Sequence, residues 1–227
     1  MVETSALWDA LALARKDLLV EFRRSHELIS IVAFAVTSII VSSFAWRRVL
    51  TLRPEVLSAA LWMVIYFSNI LTLTTSFSRE VDRGTIDGLR SLPIPAYTIF
   101  LGKVIYGGVI LFIVLLTTLL SSVIFLNVDP GILPNLLGVF SLGVIDLALV
   151  GSMISALIMY SEGKTLLLSF LFFPVSVPIL IPGTHAVGAI ISGSGFLDVL
   201  PELRLLTAFL LAFIVASTAF FSDIFFE

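Results

Sequence analysis

Six long apolar stretches constrain the fold of this chain more than any other feature. A helix needs about 20 apolar residues to cross the hydrocarbon core of a bilayer, and each stretch approaches or exceeds that length. With 59% hydrophobic and only 13% charged residues, a soluble domain could not hide so much apolar surface. We therefore predict an all-α polytopic membrane protein, a single domain over 1–227. The six predicted transmembrane helices are 28–46, 56–76, 98–126, 132–160, 165–182 and 203–225.

Charge and residue types exclude several functions. The formal net charge of -3 argues against nucleic acid as a partner, and the absence of cysteine excludes disulfides and thiolate chemistry. The phosphate-binding pattern G-x-x-x-x-G-K-[ST] fails, because Val104 follows Gly102-Lys103 and Tyr97 stands at the first glycine position. No set of Ser, His and Asp resembles a catalytic site, so we expect no enzyme and no metal site. If ATP is used, another chain must hydrolyse it.

Residues 6–24 form an amphipathic stretch that is too charged to span a membrane. Leu7, Leu11, Leu18 and Phe22 share one helical face, and basic residues lie on another. We predict a helix lying in the membrane interface. The alternative is a cytosolic extension of the first span.

The distribution of Lys and Arg predicts the orientation, because cytoplasmic loops carry an excess of these residues. With the N-terminus inside, four basic residues fall outside: Arg47, Arg48, Arg53 and Arg204. The other nine fall inside: Arg15, Lys16, Arg23, Arg24, Arg79, Arg83, Arg90, Lys103 and Lys164. Both termini of the multi-pass protein are therefore expected in the cytoplasm.

The longest polar interval covers 77–103 and begins after the second span. Its part 78–95, which we call the charged segment, is the predicted cytoplasmic region between the second and third spans. We predict one short helix over 78–89, ended by two prolines. Its apolar seam would consist of Val81, Ile86 and Leu89. Ion pairs within the helix are predicted between Glu80 and Arg83 and between Arg83 and Asp87. Such a helix outside the membrane presents a surface that a soluble partner could bind.

The fifth span carries three prolines at a spacing of four: Pro174, Pro178 and Pro182. Each removes a backbone hydrogen bond, so we predict a kinked or broken helix. Residues 183–202 are predicted as an outer re-entrant or loop region with a Gly-Ser turn at 192–195. The turn at 127–131, with the sequence NVDPG, leaves almost no loop between the third and fourth spans.

Asp146 lies near the middle of the fourth span, where a carboxylate is costly and indicates a function or a buried partner. The structural alternative is a neutral carboxyl group that is hydrogen-bonded to Ser or Thr on a neighbouring helix. No spanning segment contains an obvious basic partner for Asp146, which favours this alternative.

Three segments together resemble the haem exporter protein B family, the permease subunit of the cytochrome c maturation system and an ABC-2-type transporter. They are KDLLVEFRR before the first span, FSREVDRGTIDGLRSLPIPAYTIFLGK after the second, and FFPVSVPILIPGTHAV in the fifth. The resemblance implies six transmembrane helices with an interfacial elbow helix and a cytoplasmic coupling helix. It also implies that the coupling helix inserts into an ATPase cleft. The residues that it assigns to the ATPase-facing surface are Arg79, Glu80, Asp82, Arg83, Gly84, Thr85, Asp87, Gly88 and Leu89.

The resemblance further implies the partners. They are the cytochrome c maturation ATPase (protein A of that system), haem-handling membrane subunits, a haem chaperone, the lipid bilayer and a second copy of the chain. No cofactor is expected to be resident, and haem would be a carried or handled ligand. His185, near the outer interface, is of the residue type that ligates haem iron, although a lone His near a helix end is more often capped or solvated.

Two other functions stay open. An ABC-2-type exporter of a lipid, drug or polysaccharide would have the same fold. An ion-coupled secondary transporter would use Asp146 and the proline-interrupted helix.

Overall fold

The computed structural model describes residues 2–23, 25–73 and 76–226. Arg24, at the end of the predicted interfacial helix, lies outside the described residues, as do 74–75 of the second predicted span. The helices are α1 Val2–Arg23, α2 Ser25–Leu52, α3 Pro54–Leu73, α4 Ser76–Asp82, α5 Ile86–Arg90, α6 Ala96–Leu126, α7 Leu133–Leu157, α8 Lys164–Ile191 and α9 Leu200–Phe226. Short 3-10 turns precede α7 and α9, and the described part contains no strand.

Six of these helices are long and apolar enough to cross a membrane: α2, α3, α6, α7, α8 and α9. This confirms the predicted fold class of an all-α polytopic membrane protein. The longest, α6, has 31 residues, so at about 1.5 Å per residue it is roughly 46 Å long. It therefore extends from the charged segment to the opposite end of the bundle.

The core is packed around Trp62 of α3, which is almost fully buried. Its ring lies 4.8 Å from that of Phe140 on α7, centroid to centroid. Two glycines make room for the indole, because an added Cβ would lie 2.2 Å from it at Gly143 and 2.5 Å from it at Gly183. The indole thus joins α3, α7 and α8 at a point where no larger side chain fits.

The turn at 127–131 is confirmed. Asn127 ends α6 in the left-handed conformation with φ 55°. The side chain of Asp129 then accepts a hydrogen bond of 2.9 Å from the backbone N–H of Gly131. Because these groups close the turn locally, α6 and α7 pack side by side with almost no loop between them.

The prediction that the fifth span ends at Pro182 is wrong. Helix α8 continues to Ile191 with Pro174, Pro178 and Pro182 inside it, so it is not broken, and 183–191 is helical rather than a loop. Membrane helices tolerate proline where neighbouring helices and local adjustments satisfy the freed carbonyls. The turn predicted at 192–195 is confirmed, with Gly193 at φ 100°.

The single helix predicted over 78–89 is also wrong. The charged segment contains two short helices, α4 and α5, because Gly84 adopts φ 65° between them. The backbone N–H of Gly84 bonds to the carbonyl of Val81 at 3.0 Å, and that of Thr85 bonds to the carbonyl of Glu80 at 2.9 Å. A positive φ is available to glycine at little cost, so the first helix ends here and a second begins at Ile86.

Candidate functional site

Helix α1 packs against α6 through small residues. Ala10 and Ala14 are buried, and an added Cβ at Gly102 of α6 would lie 2.9 Å from the Cβ of Leu13. On its outer side, α1 exposes large apolar side chains, among them Trp8, which is 72% exposed. An exposed apolar face on a helix that does not span the membrane is typical of an interfacial helix, so this placement remains our prediction.

Four charged residues form what we call the ionic cluster: Lys16, Asp17, Glu80 and Lys103. The ammonium group of Lys103 lies 2.9 Å from Asp17 and 3.2 Å from Glu80. That of Lys16 lies 3.2 Å and 3.0 Å from the same two carboxylates. Lys103 is buried whereas Lys16 is exposed. The cluster joins α1, α4 and α6 at one end of the bundle.

Arg79 of α4 makes a second connection to the N-terminal helices. Its guanidinium group lies 2.9 Å from Glu21 of α1 and 2.5 Å from Glu27 of α2. Glu21, which is 2% exposed, also accepts a hydrogen bond of 2.8 Å from the hydroxyl of Tyr106 on α6. A buried carboxylate needs such paired charge and hydrogen bonding to be tolerated.

Two further contacts hold the last residues of α4 and α5. Asp82 lies 2.7 Å from the ammonium group of Lys164, at the start of α8. The guanidinium carbon of Arg90 lies 5.5 Å from the ring centroids of both Tyr160 and Phe225, a geometry that favours cation–π attraction. Charged and cation–π contacts thus attach the segment to α1, α2, α6, α8 and α9, and its apolar residues also pack against α7.

The electrostatics at Glu80 favour its charged form. Burial by itself raises the pKa of this carboxyl, but the nearby charge of Lys103, the hydroxyl of Thr85 and the ammonium group of Lys16 together lower it to about 2. The hydroxyl of Thr85 donates to the Glu80 carboxylate across the Gly84 turn. Glu80 therefore stays ionised and keeps its contacts throughout the physiological pH range.

The predicted apolar seam faces inward, which corrects the assignment of Leu89 to the ATPase-facing surface. Ile86 and Leu89 are buried against Phe77, Phe100 and other residues of the chain's own core. An amphipathic pattern shows that one face is covered but not by what. Here the chain's own spans cover it.

The predicted ion pairs of Arg83 are also absent, since the described residues show none with Glu80 or Asp87; Glu80 pairs with Lys16 and Lys103 instead. The exposed residues of the predicted surface that make no ion pair with a described residue form a set that we call the exposed rim. It consists of Arg83, Gly84, Thr85, Asp87 and Gly88.

Asp146 is fully buried on α7. Neither of its carboxylate oxygens has a hydrogen-bond partner among the described residues, so the predicted bond to a Ser or Thr hydroxyl is absent. A nearby polar residue, Asn69 of α3, donates instead to the backbone carbonyl of Leu147 at 2.9 Å. Asp146 is therefore an unpartnered polar group inside the bundle.

An apolar cleft of about 900 Å³ lies between α3 and α8. Aromatic rings line it, including Tyr66, Phe170 and Phe173, together with Pro174. The other two prolines of α8 differ in exposure, since Pro178 is exposed and Pro182 is buried. His185 is exposed on the same helix, and the described residues contain no group of three acidic or His side chains that could hold a metal.

The sequence predicts the charged segment as a candidate site but does not identify the residues that hold it in place. The sequence predicts no role for Asp17 and Glu21, and Lys103 enters only through the failed nucleotide motif and the count of basic residues that predicts the orientation. One signal was available, because Lys103 follows the predicted start of a span by only five residues, and a basic residue at that depth indicates an acidic partner.

Comparison with known proteins gave two matches. A family model described as CcmB protein matches residues 8–223. Heme exporter protein B of Pseudomonas aeruginosa is 28% identical over 215 residues, which cover 92% of this chain and 94% of that protein.

Proposed function

Because this chain belongs to the CcmB protein family, we propose that it is the membrane permease subunit of an ATP-binding cassette complex that handles haem. The relative named as a heme exporter supports haem as the substrate class. A partner subunit supplies ATP hydrolysis, and the permease converts it into haem delivery or into release of a haem chaperone. Both termini, the charged segment and the ionic cluster lie on the cytoplasmic side of the inner membrane.

The observation that carries this proposal is the exposed rim. It is formed by short helices outside the six spans, and contacts to α1 and to several of the spans hold it in place. Arg83 and Asp87 are the charges in the rim, and the described residues include no ion pair for either. Charges at the edge of an interface set partner choice and orientation, which fits a docking surface for an ATPase.

The mechanism follows from these attachments. Closure of the ATPase pair moves the rim, and α4 passes the displacement to the spans through charged contacts. Lys164 at the start of α8 receives it through Asp82. Because packed helices shift as units rather than deforming continuously, the displacement reaches the opposite end of the bundle.

The complex contains further partners in this proposal. A second copy of the chain completes the permease, and haem-handling membrane subunits and a haem chaperone act beside it. The cleft between α3 and α8 is large and aromatic enough for a planar apolar molecule. A lipid, drug or polysaccharide in place of haem is the alternative within the same fold.

One observation favours a different class of function. The buried and unpartnered carboxyl group of Asp146 is the kind of residue that carries protons in ion-coupled transporters. Transport that needs no ATPase and is driven by a proton gradient would support an ion-coupled transporter instead of an ATP-driven permease.

The test exploits the open space around Gly88. A Cβ there meets no atom within 4 Å and the residue is exposed, so a side chain can be added to the rim without a clash at its Cβ. The chain is co-expressed with the ATP-binding subunit of the source organism's cytochrome c maturation system and purified in mild detergent. We expect the amount of ATPase that co-purifies to be unchanged with Gly88→Ala and to fall by about tenfold or more with Gly88→Phe.

Gly84 is the weaker position for this test, since its φ of 65° strains any other residue. If Gly88→Phe folds correctly and still co-purifies with as much ATPase as the original chain, the rim is not part of the docking surface.

A further inference from the structure

The ionic cluster contains two lysines that share the same carboxylates but differ in their surroundings. Lys103 is 5% exposed, and its ammonium group also lies 5.5 Å from the centroid of the Phe77 ring. The side chain of Lys16 is 46% exposed. Removing a buried partner leaves uncompensated charge behind, whereas an exposed one is replaced by water. Substitutions of the two lysines can therefore be compared directly, one removing a buried partner and the other an exposed partner of the same carboxylates.

We propose that Lys103 is the positioning residue of the charged segment, holding α1, α4 and α6 together as one rigid unit. The interfacial helix α1 is then part of the coupling device rather than a membrane anchor alone. This inference rests on the proposed function only in naming an ATPase as the partner that moves the unit.

The contacts of Lys103 reach every member of this unit. It stands on the second turn of α6, pairs with Asp17 of α1 and Glu80 of α4, and faces the Phe77 ring of α4. A second contact joins the same helices, since Glu21 of α1 bonds to both Arg79 of α4 and Tyr106 of α6. Two points of attachment fix an orientation, where one would allow rotation.

The packing of α1 supports the same conclusion. Helix α1 lies against α6 at Gly102, the residue before Lys103, so closely that an added Cβ there would lie 3.1 Å from the carbonyl oxygen of Ala10. The exposed rim adjoins this unit, because Thr85 bonds to the Glu80 carboxylate. A force applied to the rim therefore acts on α6 and α1 together.

The first experiment needs no partner. Amide hydrogen exchange of α4 and α5 is measured on the full chain in lipid nanodiscs for Lys103→Met, Lys103→Arg and Lys16→Met. We expect Lys103→Met to speed this exchange by about tenfold or more, and the other two variants to stay within about threefold of the original chain. Equal exchange in Lys103→Met and Lys16→Met would overturn the proposal.

A second variant provides the test if Lys103→Met does not fold. Asp17→Asn removes the same contact from the α1 side, and we expect it to speed exchange in α4 and α5 while the middle of α7 stays protected. Unchanged exchange in Asp17→Asn also overturns the proposal.

The second experiment uses the complex with the ATP-binding subunit described above. We expect Lys103→Met to retain the ATPase, because the residues of the rim are unchanged, but to lower permease-dependent ATP hydrolysis per bound ATPase by about tenfold. Lys103→Arg should restore it. Full hydrolysis in Lys103→Met would refute the positioning role. Failure of the unmodified chain to retain any ATPase would instead reject the proposed function, and the exchange experiment would still decide the role of Lys103.

Discussion

At the scale of single residues, Glu80 is where the charged segment is most firmly held. Its carboxylate meets Lys16, Lys103 and Thr85, which come from α1, α6 and the turn before α5. A partly buried carboxylate with this many donors gains more from its hydrogen bonds than an exposed ion pair would. The position of the exposed rim therefore depends on the charge state of one side chain.

The charge state of Glu80 predicts how stability varies with pH. Its pKa falls from 4.5 to about 2 in the folded protein, so the ionised form stabilises the fold at neutral pH. This contribution is lost as pH falls from about 4.5 towards 2. The melting temperature of Glu80→Gln should therefore lie furthest below that of the original chain at pH 7 and approach it at pH 3. Asp87→Asn, on the exposed rim, is the control, and a gap independent of pH would contradict the prediction.

Asp146 gives a prediction that separates two classes of function. In an ATP-driven permease the ATPase supplies the driving force for transport. Replacing this carboxyl group by an amide of the same shape therefore does not remove that driving force. We expect Asp146→Asn to support cytochrome c formation within about twofold of the original chain, in cells that lack their own permease. A collapse of cytochrome c formation with normal protein levels would favour proton coupling through Asp146.

At the scale of helices, the glycines around Trp62 decide how closely α3, α7 and α8 approach. An alanine methyl at Gly143 or Gly183 would overlap the indole ring, and overpacking of this kind costs about 1–3 kcal/mol. At Gly108 of α6 the nearest atom to an added Cβ lies 3.9 Å away. Thermal unfolding should show Gly143→Ala and Gly183→Ala destabilised and Gly108→Ala unaffected or slightly stabilised. Equal melting temperatures for the three would contradict this view of the core.

The elements also show what could be predicted from the sequence. Hydropathy found all six spans, because helix length and apolar content are local properties. The end of α8 was missed because its neighbours, not its own prolines, determine whether the helix continues. The direction of the Ile86–Leu89 seam was missed for a similar reason, since only the tertiary fold shows which surface covers it. The ionic cluster joins residues as far apart as Lys16 and Glu80, 64 positions along the chain, and no local pattern predicts such a pairing.

At the scale of the whole molecule, the contacts divide the bundle into two ends. The ionic cluster, the exposed rim and the start of α8 meet at one end, since Lys164 contacts Asp82. His185 follows Lys164 by 21 residues along the same helix, so at about 1.5 Å per residue it lies roughly 32 Å away. That distance is about the thickness of the hydrocarbon core. Asp87 and His185 should therefore face opposite sides of the membrane.

The orientation of these two ends is open to a direct test, because the chain has no cysteine of its own. Single variants Asp87→Cys and His185→Cys each place one thiol at an exposed position, and a membrane-impermeant maleimide reports which side it faces. We expect His185→Cys to react in intact cells and Asp87→Cys only in inverted vesicles, since most Lys and Arg residues lie at the end of the charged segment. Labelling of Asp87→Cys in intact cells would put the exposed rim on the side without ATP. No ATPase could then move it, so the same result would remove the physical basis for coupling through Lys103.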